Sequence, residues 1–234
     1  MLDMIMKIAA ANANKQYESL ENVSLNVANY NTTGYKAKRF EQFLTVDDRL
    51  DGVTRIDAGK GDLMTTKREL DIGVDGFGYI PVTQPDGTIA YTRDGSFTLN
   101  SQGYIVNMRG DIVGEGIKVP IDYEKFQIKA DGSVLVKTTK QADFTPLGKI
   151  NLVKFSVPEK LKSIGYNKLM PTDESGAAAP DTESKIKQGF LERANVKIHG
   201  QIEQILRLNA SLISNMRIIK FADDLYRQSI NLRQ

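Results

Sequence analysis

The side chains able to do chemistry are few in this sequence, and poorly spaced for it. His199 is the single histidine among 234 residues and there is no cysteine. That removes thiolate nucleophiles and disulfides, and no Ser/His/Asp or His-ligated metal set is announced by the spacing. The adjacent acids Asp47-Asp48 and Asp223-Asp224 could do acid/base work, but neighbouring charges are usually solvated surface. Gly73-Val-Asp-Gly76-Phe-Gly78 and Gly110-Asp-Ile-Val-Gly114-Glu-Gly116 are glycine-rich. Neither has dinucleotide-fingerprint spacing or opens a helical pattern, so both read as turns and bulges. Asp-Gly pairs at 75–76, 86–87, 94–95 and 131–132 lack the further aspartates and trailing glutamate of a calcium loop. Asn31-Thr32-Thr33 fits a glycosylation pattern and serves better as part of a turn. The expectation is a protein with no catalytic residue, no cofactor and no metal, hence no enzyme.

The elements that would carry any interaction surface are clearer. From Leu2 to about Asn29 the chain has no glycine or proline. Apolar or small residues recur in sevens there as Leu2, Ala9, Val23, Tyr30 and as Met6, Ala13, Leu20, Val27, with Gln16 as the polar interruption. This spacing predicts a helix with one modestly apolar stripe. Asn29-Tyr30-Asn31-Thr32-Thr33-Gly34 stops it, because Asn and Gly tolerate left-handed backbone and Asn/Thr side chains compete for backbone hydrogen bonds. From about Val196 to Leu232 the sevens are sharper: Ile198, Ile205, Leu212, Ile219 and Tyr226 on one line, Ile202, Met216 and Ile230 on the next, widened by Leu206 and Ile213. Asn209 and Asp223 break the second line, which argues for packing with some polar or wet positions instead of a simple two-stranded zipper. Glu203 with Arg207 and Asp223 with Arg227 add i,i+4 pairs.

Between about Ile56 and Met170 short β-prone runs alternate with the Asp-Gly pairs: 79–83, 88–92, 96–99, 104–107, 126–129, 133–137 and 149–155. Asp-Gly between such runs signals hairpins with type I′ turns, giving a largely antiparallel body. The stretch Pro171 to Pro180, small, polar and broken by two prolines, reads as a surface loop. The fold class is therefore α+β, with long terminal helices pairing as a coiled-coil-like unit around a central mainly antiparallel β domain. The expected organisation is a discontinuous helical domain from 1–34 and 185–234, a connector over 35–70 and a β-rich body over 71–184.

Formal charge is +2 from 31 basic and 29 acidic residues, so no global field draws in nucleic acid or an anionic membrane. Residues 185–234 carry nine Lys/Arg against four acids, yet their cations are spread around the helix with few aromatics between them, which argues against a nucleic-acid partner. No run approaches the ~18–20 apolar residues of a membrane span. The start, MLDMIMKIAAANAN, imitates a signal peptide poorly, since Asp3 sits where positive charge belongs and Lys7 interrupts the apolar stretch. At 1.5 Å per residue the helices would be roughly 42 and 50 Å long and could lie side by side. One stripe against another, set against the ordering of some 60 residues, is a near balance, so the ends should order fully only in an assembly.

Leu25-Asn-Val-Ala-Asn-Tyr-Asn-Thr-Thr-Gly-Tyr-Lys36 and Gln188-Gly-Phe-Leu-Glu-Arg-Ala-Asn-Val196 resemble the N- and C-terminal signatures of the bacterial flagellar basal-body rod protein family, which includes the hook. Asp71 to Tyr79, Tyr91-Thr-Arg-Asp-Gly-Ser-Phe97 and Ile128-Lys-Ala-Asp-Gly-Ser-Val134 are similar to its body motifs. The resemblance implies an axial protein that leaves the cell through the flagellar export apparatus without a cleaved signal, and stacks with copies of itself and other axial proteins. It implies that terminal helices form the inner tube of a torque-transmitting rod. The assembly contacts would then fall on Leu2, Met6, Leu20, Val23, Val27, Ile198, Ile202, Ile205, Leu212, Met216, Ile219 and Tyr226. The motif residues would be Asn29, Asn31, Thr32, Gly34 and Tyr35 at one end and Gly189, Leu191, Glu192, Asn195 and Val196 at the other. In place of the family's Gln-Arg-Ala-Tyr-Glu-type stretch the chain carries Leu208 to Arg217. The short connector, with Gly114 to Pro120 and Leu152 to Lys154, is similar to proximal-rod forms, the distal rod or hook type being the alternative. A β-rich binding module oligomerised by its helices is the other reading.

Overall fold

A computed structural model describes residues 2–46, 50–139 and 143–231. The Asp47-Asp48 pair and Leu232 lie outside them, as do the side chains of Leu2 and Ile230. The chain forms two compact units: residues 1–28, 38–55 and 196–234 make the first, and 29–37 with 56–195 make the second.

The first unit is built on helices α1 (Leu2–Ala28) and α2 (Ile198–Asn231), close to the extents that the seven-residue spacing predicts. Strands Lys38–Leu44 and Leu50–Ile56 form a two-stranded ribbon beside α1. A lone ribbon is marginal in water, so it needs the helix. Asn26 supplies the join: its Nδ2 donates to Lys38 O at 2.8 Å and its Oδ1 accepts Lys38 N–H at 2.7 Å. Asn22 adds a bond to Thr54 Oγ1 at 2.8 Å. No helix among the described residues is long and apolar enough to cross a membrane.

The second unit is a β body, as the alternating runs require. Its largest sheet has seven strands in the order Lys162–Ser163, Lys168–Met170, Ile89–Thr92, Ile80–Thr83, Ile112–Val113, Ile105–Val106 and Thr98–Leu99, paired antiparallel. Tyr123–Ile128, Ser133–Thr138 and Thr145–Lys149 form a three-stranded antiparallel sheet. Ile80-Pro-Val-Thr83 buries every second side chain, the period of a half-covered strand, whereas Ile72, Gly73 and Val74 are buried in succession. Ile72, Ile80, Val82, Phe97, Ile105, Val113, Val134 and Ile150 meet in one core, each at most 1% exposed. A second cluster holds Tyr79, Tyr91 and Phe155, with Phe155 edge-on to both tyrosines at 5.7 and 5.0 Å.

Two details differ from the sequence expectation. Only the Asp-Gly pairs at 86–87 and 131–132 close hairpins, and in both the glycine alone takes positive φ, so neither turn is type I′. The aspartate has another use: Asp86 Oδ1 accepts Thr88 N–H and Asp131 Oδ1 accepts Ser133 N–H, side-chain turns that hold the Asp in ordinary backbone. The loop expected over 171–180 ends in a short strand, Ala179–Pro180, antiparallel to Val153–Lys154. Proline is tolerated there because such a short pair asks for few ladder donors.

Candidate assembly interface

In the helical unit, α1 and α2 run antiparallel, since partner numbers fall on one as they rise on the other. Asn26 Nδ2 donates to Gln201 Oε1 at 3.0 Å, Gln204 Nε2 to Ser19 Oγ at 3.5 Å, Gln16 Nε2 to Ser211 Oγ, and Asn215 Nδ2 to Gln16 Oε1 at 3.1 Å. Val23 and Leu212 are buried between these contacts, and Ala9 and Ala222 are buried further along the helices. Two of these bonds join amides and two join an amide to a serine hydroxyl. Such contacts fix register well and stabilise weakly, because each replaces bonds to water of similar strength.

The heptad residues divide between this seam and solvent. Val23 and Leu212 are buried, and Met6, Leu20, Ile198, Ile205 and Ile219 are half-buried. Ile202, Leu206, Ile213 and Met216 are each at least 50% exposed, and Val27 and Tyr226 are exposed too. At 100° per residue, Ile202, Leu206, Ile213 and Met216 lie on one face of α2, beside the face that meets α1. An exposed apolar stripe of this kind, here interrupted by Asn209, is a contact surface or a liability. The flank pairs Glu203–Arg207 and Asp223–Arg227 form at 2.6 and 3.1 Å, and His199 is exposed in the first turn of α2.

The two signature motifs meet elsewhere, inside the β body. Glu192 is 1% exposed and takes Lys36 Nζ at 2.8 Å and Gly61 N–H at 2.8 Å on Oε1, and Arg93 Nε at 2.6 Å on Oε2. Its backbone carbonyl accepts Gly34 N–H at 2.8 Å. Arg93 continues from there, donating to the carbonyls of Val74, Gly76 and Gly78. Asn195 Oδ1 accepts Ala37 N–H at 2.7 Å while its Nδ2 donates to the carbonyls of Asp57 and Gly59. Gly34 has φ +66, and a Cβ there would stand 2.2 Å from Asp94 N, so only glycine fits. Thr33 Oγ1 donates to Asp94 Oδ1, and Thr32 N–H to Asn29 O, closing the turn after α1.

Gly189 N–H donates to Asp71 O, Leu191 is buried, and strand Phe190–Glu192 pairs with Leu63–Thr65. Asn31 is exposed, whereas Val196, buried, opens the last segment of the helical unit. Burial pushes the Lys36 ammonium below its usual 10.5, with the Glu192 carboxylate opposing and Arg93 reinforcing the shift. The phenols of Tyr35 and Tyr79 are pushed up to about 12 by burial.

Sequence reasoning named Gly34, Glu192 and Asn195 through the motifs but missed Lys36 and Arg93 as their partners, and missed the amides of the helix seam. A charged residue inside a β-prone run, as Arg93 is in Tyr91-Thr-Arg-Asp, was the available signal.

Residues 73–136 match the model of the flagellar hook protein FlgE/F/G D1 domain. The chain is 30% identical to the flagellar basal-body rod protein FlgG of Agrobacterium fabrum, over 94% of this chain and 95% of that one. It is also 30% identical to the protein of that name in Caulobacter vibrioides, over 97% and 98%. It is 28% identical to the flagellar basal-body rod protein FlgF of Mesorhizobium japonicum, over 76% of each. With whole-length likeness added to the paired end motifs and the body, the chain belongs to the flagellar basal-body rod protein family, structural subunits of the flagellum and not enzymes.

Proposed function

We propose that this rod subunit joins its neighbours through the terminal helices, copies and other axial proteins covering the stripe of Ile202, Leu206, Ile213 and Met216 to build an inner tube that transmits torque. The observation carrying this is the contrast within α2: Gln201 and Asn215 bond to α1 and Leu212 is buried, while Ile202, Leu206, Ile213 and Met216 are each at least 50% exposed. A head-to-tail contact of this kind does not close on itself and therefore propagates as a helix. The signature node fixes the backbone at Gly34 and Glu192 within the body.

Passage through the flagellar export apparatus agrees with the cysteine-free composition. For position along the rod we favour the proximal part, on the short connector and the segments at 114–120 and 152–154. Labelled subunits imaged in isolated basal bodies decide it: label at the far end of the rod contradicts the proximal placement.

The main reading is tested by replacing Ile213 and Met216 together with serine in the full chain. About 1.5 kcal/mol of burial per side chain corresponds to about tenfold each in an association constant. The variant should fold normally and be depleted from purified basal bodies. Incorporation at the wild-type level would overturn the proposal.

A further inference from the structure

We propose that Asp51-Gly52, in strand Leu50–Ile56, is a site of spontaneous isoaspartate formation, the Gly52 amide nitrogen attacking the Asp51 side-chain carboxyl. The sequence holds five Asp-Gly pairs, at 51–52, 75–76, 86–87, 94–95 and 131–132, and glycine, lacking a Cβ, leaves its nitrogen open to such attack. All five share the dipeptide, so the fold decides between them. Among the described residues, 51–52 is the pair whose glycine N–H donates to the carboxylate of its own aspartate, Gly52 N standing 2.7 Å from Asp51 Oδ1. This holds the nitrogen within reach of the carboxyl carbon, reacting atoms being productive at about 3–3.5 Å. The other four carboxylates are turned elsewhere. Asp86 Oδ1 accepts Thr88 N–H and Asp131 Oδ1 accepts Ser133 N–H, while the N–H groups of Gly87 and Gly132 donate to the carbonyls of Gln84 and Lys129. Asp94 Oδ1 accepts Ser96 N–H, Ser96 Oγ and Thr33 Oγ1, and Gly95 is pressed so close to Ile72 that a Cβ would stand 1.7 Å from the Ile72 carbonyl oxygen. Asp75 is drawn to Lys187 and Lys60, at 2.8 and 3.6 Å.

Those four pairs belong to the β body, whereas 51–52 lies in a two-stranded ribbon of marginal stability, whose backbone can turn to close the ring. In the first step a bond forms between Gly52 N and Asp51 Cγ, the amide proton and the carboxyl hydroxyl leave as water, and a five-membered succinimide results. In the second, one water adds at a ring carbonyl. Opening at the side-chain carbonyl restores Asp51; opening at the backbone carbonyl leaves the chain running through Cβ with a free α-carboxylate. The Asp51 side chain is 52% exposed, which admits that water. The Gly52 N–H and Lys15 Nζ, the latter at 3.2 Å and shared with Glu18, hold the Asp51 carboxyl below the usual carboxylate range. Because hydroxyl leaves from the protonated form, conversion is slow at neutral pH and quickens in acid. The extra backbone carbon falls just before Thr54, which Asn22 bonds at 2.8 Å, and Arg55, paired with Glu41 at 2.9 Å, so conversion loosens the ribbon from α1.

The soluble full-length chain is held for weeks in mildly acidic buffer beside a sample unfolded in urea, and both are digested and mapped by mass spectrometry with fragmentation that separates isoaspartate from aspartate. Position 51 should accumulate isoaspartate at least as fast in the folded chain as in urea, and positions 75, 86, 94 and 131 at least about tenfold more slowly than in urea. Slower formation at 51 when folded, or a folded rate at any of the other four equal to that at 51, would overturn the proposal. As a second measurement, hydrogen exchange of the 50–56 amides should quicken on ageing of the wild-type chain and not of Asp51→Glu, which would have to close a six-membered ring and does so far more slowly. Equal quickening in both contradicts the proposed loosening.

Discussion

The helical unit and the β body spend their residues in opposite ways. The body hides Ile, Val and Phe in a dry core and closes around a buried three-charge node, so its structure is complete within one chain. The helical unit pairs amides across its seam and leaves Ile202, Leu206, Ile213 and Met216 in water. The proposed assembly through the helices needs this division: one part stable alone, the other completed by neighbours. The node also shows why the signature residues sit where they do. Lys36, Arg93 and Glu192 tie the two motifs together within the body.

The comparison breaks most sharply at Glu192. Glu192→Ala leaves Lys36 and Arg93 as buried cations without a counter-charge, and losing one partner of such a set costs about 3–5 kcal/mol. Urea unfolding of the full chain should show the body transition displaced by that amount, and an unchanged midpoint would deny the node its role.

Alkali gives a smaller effect of predictable sign. A phenol whose folded pKa is raised stabilises fully below its ordinary 10.0 and loses that contribution as pH climbs toward about 12, the position of Tyr35 and Tyr79. A two-unit shift on the nearly inaccessible Tyr79 corresponds to about 2–3 kcal/mol. Lys36 acts in reverse, because its lowered pKa means the folded chain holds fewer protons, so its penalty is relieved as pH rises toward 10.5. Body stability followed by urea midpoints should therefore hold or rise up to about pH 10 and fall beyond it. A steady decline beginning well below that pH would contradict these assignments.

The smallest effect is on the stripe. Exposed side chains contribute within about 0.5 kcal/mol to the stability of a lone chain. The Ile213 and Met216 serine pair should hence leave the soluble protein unchanged by calorimetry while removing it from rods. A clear loss of stability would mean those residues already pack within the chain.

Seven-residue spacing made both helices legible, because apolar periodicity survives whatever the helix later packs against. Antiparallel body strands were legible for a similar reason. Which heptad line turns inward was not, since Gln16, Ser19, Asn26, Gln201 and Asn215 look like solvent-facing polar residues until two of them are seen to face each other. Nor was the node, whose members Lys36 and Glu192 stand 156 residues apart; a lone Lys or Glu is read as surface, and only the fold pairs them. The Asp-Gly pairs misled in turn type because the aspartate side chain caps the turn instead of following its glycine into left-handed backbone.

Hydrogen exchange on the isolated full-length chain tests the central claim most directly. The account expects the amides of the body core, such as Ile80, Val82 and Val113, to be protected to near the global stability, and those of α1 and α2 to exchange through local opening at far lower free energy. The helix amides should become protected only in assembled rods. Helices as protected as the body in the solitary chain would contradict it.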